Sequence, residues 1–358
     1  MRVVLAGGGT TGHISPMLAT AEALVAQDPT IQITCVGTPV GLETDLVPAA
    51  GFDLALVDPV PLPRNVSLDL VTLPVRIMKA VRQAKAILRG ADVVIGFGGY
   101  ASLPVFLAAR QMKVPVVVHE ANAVPGLANR IAARFAAYVC VTFDNTGLPR
   151  QIVTGMPVRT EVANLDRRKE QPHARKVFGL GEDAKVLLVS GGSQGARSLN
   201  QATLEALPTL TAAGISVLHV TGKKNFDETS PVRQGYVQVA YVERMDQAYA
   251  AADLMVARSG AGTVTETALA GLPVIFVPLP HGNGEQAKNA AGVVAAGGGI
   301  LIDDAHLTGE RLASEAIRIL GDEATLTQMS QAAIHVMPRD AARSVARYAL
   351  TAAEERRQ

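Results

Sequence analysis

The chain has 358 residues, 48% of them apolar, which is enough for two ordinary cores rather than one oversized core. Its 33 basic and 32 acidic residues leave a net charge of +1, so no global field draws nucleic acid and any anion must be bound locally. Two cysteines, Cys35 and Cys140, exclude a disulfide framework and any cysteine-based metal spacing; both sit in apolar runs, as small buried side chains in a reducing compartment do.

Residues 1–6 form a short apolar run ahead of glycines, too brief for a secretory or spanning helix, and read as a first buried strand. Further Val/Ile/Leu-rich runs at 31–36, 92–95, 114–119 and 138–142 alternate with helical patterns, the signature of a parallel sheet. The polar stretch 164–175 interrupts the pattern, which restarts at 185–190, 216–220, 236–239, 253–257 and 273–277. Gly and Pro break the longest uncharged stretches, 93–109 and 267–284, so no spanning helix is predicted. Residues 341–357 read as a helix with apolar Val345, Tyr348 and Ala349 and a charged end. The expected fold is α/β with two Rossmann-like domains, 1–158 and 159–340, their parallel sheets facing a central cleft. A helix at 341–358 returns to the first domain.

The halves repeat one plan. A strand runs into Gly7-Gly8-Gly9-Thr10-Thr11-Gly12-His13 and a helix in the first, and into Gly191-Gly192-Ser193-Gln194-Gly195-Ala196 and a helix in the second. Later, Gly96-Phe97-Gly98-Gly99-Tyr100 is echoed by Arg258-Ser259-Gly260. Such loops let backbone N–H groups approach an anion, with the following helix N-terminus adding partial positive charge. Alone, each serves equally as a tight strand-to-helix turn, and neither has Walker or full dinucleotide spacing.

His13 opens the first helix, where an imidazole can act near neutral pH as a general base or can cap its own helix. The run Ser259-Gly260-Ala261-Gly262-Thr263-Val264-Thr265-Glu266 places amides and hydroxyls at another helix start, suited to a diphosphate. Glu266, one turn in, can accept hydrogen bonds from a ribose diol or simply stabilise the helix N-terminus. No Asp-x-Asp triplet occurs, so a metal-free route is the natural reading, with amides, Arg159 and Ser193 helping a leaving diphosphate.

Six motifs in order carry a resemblance over nearly the whole chain. They are Gly8-Gly9-Thr10-Thr11-Gly12-His13, His119-Glu120-Ala121-Asn122, Gly155-Met156-Pro157-Val158-Arg159, Gly191-Gly192-Ser193-Gln194-Gly195-Ala196-Arg197, Arg258-Ser259-Gly260-Ala261 and Glu285-Gln286. In them the sequence resembles the MurG family of GT-B glycosyltransferases. The resemblance implies inverting transfer of N-acetylglucosamine from UDP-N-acetylglucosamine (UDP-GlcNAc) to lipid I, the undecaprenyl-diphosphate-linked muramyl pentapeptide. The products would be lipid II and UDP, for peptidoglycan synthesis.

It further implies a UDP-GlcNAc site with Val242 near uracil and Ala261, Gly262, Thr263, Val264, Thr265 and Glu266 around diphosphate and ribose. Gln286 would reach the sugar, and Ser193 and Arg159 would line the same site. Thr10, Thr11, Gly12 and Asn122 would face the reaction centre and His13 would be the base, with Glu120 an alternative. No cofactor is implied. The family often has Gly where Thr11 stands and Gln where Ala121 stands, so no essential side-chain chemistry is assigned to either. The implied location is the cytoplasmic membrane face, held peripherally, with cell-wall synthesis or division proteins as partners.

Residues 70–90 contain no acid and carry Arg76, Lys79, Arg82, Lys85 and Arg89 beside Leu73, Ile77, Val81 and Leu88 at helical spacing. The pattern suits a membrane-surface helix and equally a Rossmann helix packed on its sheet. Two rival functions share the scaffold: a UDP-GlcNAc 2-epimerase and a non-catalytic nucleotide-sugar sensor. A nicotinamide dehydrogenase fits the fold but not the loop spacing.

Overall fold

The computed structural model describes residues 1–60, 69–192, 194–226, 234–281 and 283–357. The chain forms two compact units, Met1–Arg159 with Asp340–Gln358, and Thr160–Arg339. The first contains β1 (Arg2–Gly7), α1 (Thr11–Gln27), β2 (Gln32–Gly37), α2 (Glu43–Ala49), β3 (Asp53–Leu56) and α3 (Asp69–Ile87). It continues through β4 (Val93–Gly98), α4 (Ser102–Gln111), β5 (Val116–Glu120), α5 (Leu127–Ala132), β6 (Tyr138–Val141) and β7 (Gln151–Val153). The second contains α6 (Thr160–Ala163), α7 (Arg167–Val177), β8 (Lys185–Ser190), α8 (Arg197–Ala212), β9 (Ile215–Val220), β10 (Tyr236–Val239) and α9 (Met245–Ala251). There follow β11 (Leu254–Ala257), α10 (Ala261–Ala270), β12 (Val274–Phe276), α11 (Glu285–Ala295), β13 (Gly299–Leu301), α12 (Gly309–Leu320) and α13 (Glu323–Ile334), with a 3-10 turn at Asp304–His306. The chain closes with α14 (Ala341–Arg357), which packs on α1, β4, β5 and β6 of the first unit.

Both sheets are parallel throughout, ordered β3-β2-β1-β4-β5-β6-β7 and β10-β9-β8-β11-β12-β13. Helices cover each sheet on two faces, so the inner strands are continuous apolar runs rather than alternating ones. In the first unit Val3, Leu5, Ile95 and Val117 point toward α1 and α14, while Val4, Ala6, Val94 and Val118 point toward α3, α4 and α5. That two-residue alternation splits one strand set between two cores. Burying each of the Val, Leu and Ile side chains contributes about 1.5–3 kcal/mol. Polar contacts fix α14 at its end: Arg356 donates to the Ala91 carbonyl at 2.8 Å, Arg357 meets Asp92 at 2.9 Å, and the Tyr138 hydroxyl donates to Glu355 at 2.8 Å. Cys35 and Cys140 are buried free thiols, pushed up to about 12 by desolvation.

Strand order reverses between β1 and β4 in one sheet and between β8 and β11 in the other. Chains leaving such neighbouring strands diverge to opposite faces and open a crevice at the strand C-terminal ends. The glycine-rich turns lie there in both units.

Candidate active site

In the first unit, the loop leaving β1 touches the loop leaving β4. Gly99 has φ +84°, and a Cβ there would run into the Gly8 carbonyl, so only glycine admits this approach. Thr10 precedes α1 and offers its carbonyl to the His13 and Ile14 amides at 3.1 and 3.2 Å. The His13 ring packs over Gly98, its Nε2 3.2 Å from where a Cβ would stand, and Thr10 Oγ1 lies 3.4 Å from Nδ1. Thr10 and Gly12 are exposed, whereas Thr11 and His13 are partly buried. Desolvation holds His13 below its ordinary value of 6.5, while the Gly8 backbone and the Glu43 carboxylate pull it back less strongly. The imidazole is therefore neutral near pH 7, the state a general base requires.

Beneath this loop lies a residue that motif reading did not single out. Glu43, the first residue of α2, is fully buried. It accepts the Gly9 amide at 2.8 Å, the Thr38 amide at 2.7 Å and the Thr38 hydroxyl at 2.9 Å. Burial disfavours its charged form, but these donors and its own amide outweigh that and keep the carboxyl below the usual carboxylate range. A Cβ on Gly8, Gly37 or Gly41 would collide with its side chain. The available signal was the pair Gly37 and Gly41 just ahead of an acid at a helix start.

The loop after β5 is built the same way. Glu120, 3% exposed, accepts the Asn122 amide at 2.9 Å, the Gly126 amide at 3.0 Å and the Asn129 side-chain amide at 2.9 Å. A buried carboxylate committed to three donors holds a loop together, which counts against Glu120 as the alternative base. Asn122 sits on that loop, partly buried, and Ala121 is buried. His119 is core: it packs against Phe97, its Nε2 lies 3.0 Å from the Gly155 carbonyl oxygen, and burial lowers it to about 4.

In the second unit, the loop after β8 packs backbone to backbone against residues 221–222, and Asn225 donates to the Thr221 carbonyl at 3.2 Å. Ser193 lies outside the described residues. At the head of α10 only Gly262, Thr263 and Glu266 reach solvent; Ala261, Val264 and Thr265 are buried, as helical spacing demands of a helix packed on a sheet. The side chains of Ala261, Val264 and Thr265 are turned inward, so of these six residues Gly262, Thr263 and Glu266 form the accessible face of α10. Val242 is 8% exposed.

Glu266 Oε2 accepts the hydroxyl of buried Tyr249 at 2.7 Å. Gln286, at the start of α11, accepts the Leu279 amide at 2.9 Å and so fixes the loop after β12. Arg258 fixes the same loop from the end of β11: it donates to the Val277 and Pro278 carbonyls at 3.1 Å each and pairs with Asp304 at 2.6 Å. Arg159 closes the first unit and is partly buried. Among the described residues, no group of three or more His, Cys, Asp or Glu is placed to hold a metal.

No described helix is long and apolar enough to cross a membrane. On α3, Val81 is buried and Ile77 packs against the same core, as does buried Leu88 just past its end, so the apolar side expected from spacing faces the sheet. The outward face instead carries Val75 and Met78, 63% and 54% exposed, beside exposed Lys79 and Arg82. Lys79 pairs with Asp58 at 2.7 Å.

This geometry has relatives. Residues 3–141 match the glycosyltransferase family 28 N-terminal domain and residues 186–345 its C-terminal domain. The chain is 53% identical, over 99% of its length and 95% of the relative's, to the UDP-N-acetylglucosamine–N-acetylmuramyl-(pentapeptide) pyrophosphoryl-undecaprenol N-acetylglucosamine transferase of Mycolicibacterium smegmatis. It is 54% identical to the enzyme of that name from Mycobacterium avium, covering 97% of this chain and 88% of the other. The crystal structure of Acinetobacter baumannii MurG superposes with a TM-score of 0.77 at 29% identity, covering 98% of this chain and 99% of that one. Two family 28 domains, two parallel α/β units of the GT-B fold and this level of identity together establish that the chain belongs to the MurG family of N-acetylglucosaminyltransferases.

Proposed function

We propose that this chain transfers N-acetylglucosamine from UDP-GlcNAc to lipid I, producing lipid II and UDP with inversion at the anomeric carbon. The observation that carries the reading is His13, a desolvated, neutral imidazole at the head of α1 beside two touching glycine turns. In the step proposed, the acceptor hydroxyl gives its proton to His13 as its oxygen bonds the anomeric carbon. The bond to the UDP oxygen breaks on the opposite side, and UDP leaves with the electron pair. Charge on the departing diphosphate is met by amides at the heads of α8 and α10, so the route calls on no metal. Glu266 takes the ribose and Gln286 the sugar, each already held by a neighbour within its unit.

The acceptor carries an undecaprenyl chain, so the enzyme must work at the cytoplasmic membrane face without spanning it. Val75 and Met78, exposed beside the exposed cations Lys79 and Arg82, supply a surface of the right chemistry. The test is UDP release from UDP-GlcNAc with and without a short-chain lipid I analogue, in EDTA, with mass analysis of products. Acceptor-dependent release with a disaccharide product is expected. Acceptor-independent sugar conversion would indicate an epimerase, and binding without turnover a sensor.

A further inference from the structure

Glu266 is a long side chain on a surface-reaching turn of α10, and left alone it samples many rotamers that must be given up before it can meet a ligand. A neighbouring helix supplies the restraint. Tyr249, on α9, is 2% exposed and donates its hydroxyl to Glu266 Oε2 at 2.7 Å, a hydrogen bond strengthened when the acceptor is a carboxylate. Behind it, Arg167 on α7 is desolvated and clamps both helices. Its Nε donates to the Tyr249 carbonyl at 3.0 Å and its Nη1 to the Gly271 carbonyl at 2.6 Å, with Ala252 a third acceptor. Gly271 is the left-handed C-cap of α10, so one guanidinium ties together the two helices that carry Tyr249 and Glu266. The phenol is thus aimed by a fixed frame rather than by a loop.

We propose that Tyr249 is a positioning residue for nucleotide recognition, setting Glu266 so that the donor site prefers a ribonucleoside diphosphate over its 2′-deoxy counterpart. This rests on the reading that Glu266 receives the donor ribose. A vicinal diol presents two O–H donors in fixed geometry, and a carboxylate answers both only when its plane is set in advance. Tyr249 touches neither sugar nor diphosphate in this scheme. It acts through Glu266.

The experiment measures UDP and 2′-deoxy-UDP affinity by calorimetry for the full-length wild type, Tyr249→Phe and Glu266→Gln. Phenylalanine keeps the ring and its packing and removes only the hydroxyl. For Tyr249→Phe, UDP affinity is expected to fall about five- to tenfold while 2′-deoxy-UDP changes less than twofold, narrowing the preference; Glu266→Gln narrows it at least as far. If Glu266→Gln narrows the preference and Tyr249→Phe does not, Tyr249 merely packs and the proposal is overturned. An unchanged preference in Glu266→Gln, or none in the wild type, refutes the ribose reading itself and the positioning role with it. Equal weakening of both nucleotides by Tyr249→Phe also overturns it, since a packing defect does not discriminate a hydroxyl.

Discussion

The two glycine turns that leave β1 and β8 share a plan and differ in what lies underneath. Under the first is an anion: Glu43 holds the Gly9 amide and sits close enough to His13 to favour its protonated form. The second packs on the backbone at 221–222 and the amide of Asn225, and the carboxylate that meets the head of its helix, Asp304 on the Ser198 hydroxyl, is neutralised by Arg258. A site that must take up a proton gains from a nearby carboxylate, which stabilises the imidazolium as it forms. A site that must bind a diphosphate loses by one. The acid of the second unit is displaced to the far side of the first turn of α10, at Glu266, where a ribose rather than a phosphate is expected. Duplicated topology with divided electrostatics supports the proposal that the base belongs to one unit and the donor to the other.

Removing the base should break this division most severely. His13→Ala is expected to lower turnover about 10²- to 10⁴-fold in the lipid I analogue assay, with UDP affinity by calorimetry within twofold of wild type. Full turnover in the variant would place the base elsewhere.

Glu43→Gln tests whether the buried anion matters. A glutamine cannot accept from both Gly9 and Thr38, because one of its two ends is a donor. One amide is left unsatisfied, a loss of about 1–3 kcal/mol in denaturant unfolding, with turnover down about ten- to a hundredfold. The pH dependence has a definite sign. Glu43 titrates below its ordinary 4.5 when folded, so its stabilising contribution is present above that value and fades as pH falls through the folded one. The stability gap between wild type and Glu43→Gln should therefore narrow on acidification below 4.5. His13 loses a group that raises its affinity for protons, so the acid limb of kcat/KM should move to lower pH. A limb that stays put would show that the carboxylate only braces the loop.

Much of this was legible in the sequence where one physical signal dominated. Buried parallel strands such as Lys185–Ser190 and Leu254–Ala257 show as apolar runs because both sheet faces are covered. The edge strand Asp53–Leu56 and the three-residue strands Gln151–Val153 and Gly299–Leu301 are too short or too exposed to leave that mark. Glycine loops and His13 stood out because each needs a rare residue at a fixed place. Glu43, Tyr249 and Arg167 did not, since what defines them is a partner distant in sequence: Gly9, Glu266 and Gly271. The 261–266 run illustrates the converse. The motif is contiguous in sequence, but helical periodicity divides it, turning Val264 and Thr265 inward and leaving Thr263 and Glu266 accessible.

A smaller effect should separate the two turns by what each is for. Gly99 and Gly222 are counterparts in packing: φ is +84° and +88°, and a Cβ on Gly222 would stand 2.6 Å from the Gly195 nitrogen. Alanine at either position costs about 1–2 kcal/mol for the left-handed backbone before the collision is counted. Gly222→Ala is expected to weaken UDP binding about tenfold, by displacing the amides of the second turn, whereas Gly99→Ala leaves UDP affinity unchanged and lowers turnover. Equal loss of UDP affinity in both variants would dissolve the assignment of donor to one unit.

The mildest expected effect is at the surface of α3. Lys79 already pairs with Asp58, and both are exposed, so its charge is partly answered within the protein. Arg82 is exposed beside Val75 and Met78. Replacing Arg76, Lys79, Arg82 and Lys85 together with Gln should weaken binding to vesicles containing anionic lipid several-fold at physiological salt, at about 1 kcal/mol or less per cation. Val75→Ser with Met78→Ser should lower it further at any salt, because apolar insertion is not screened. Soluble turnover on the short-chain acceptor should be untouched by either set. If vesicle binding survives both, the outward face of α3 is only the solvated side of a Rossmann helix, and the contrast between a membrane-seeking first unit and a purely donor-binding second would lose its surface half.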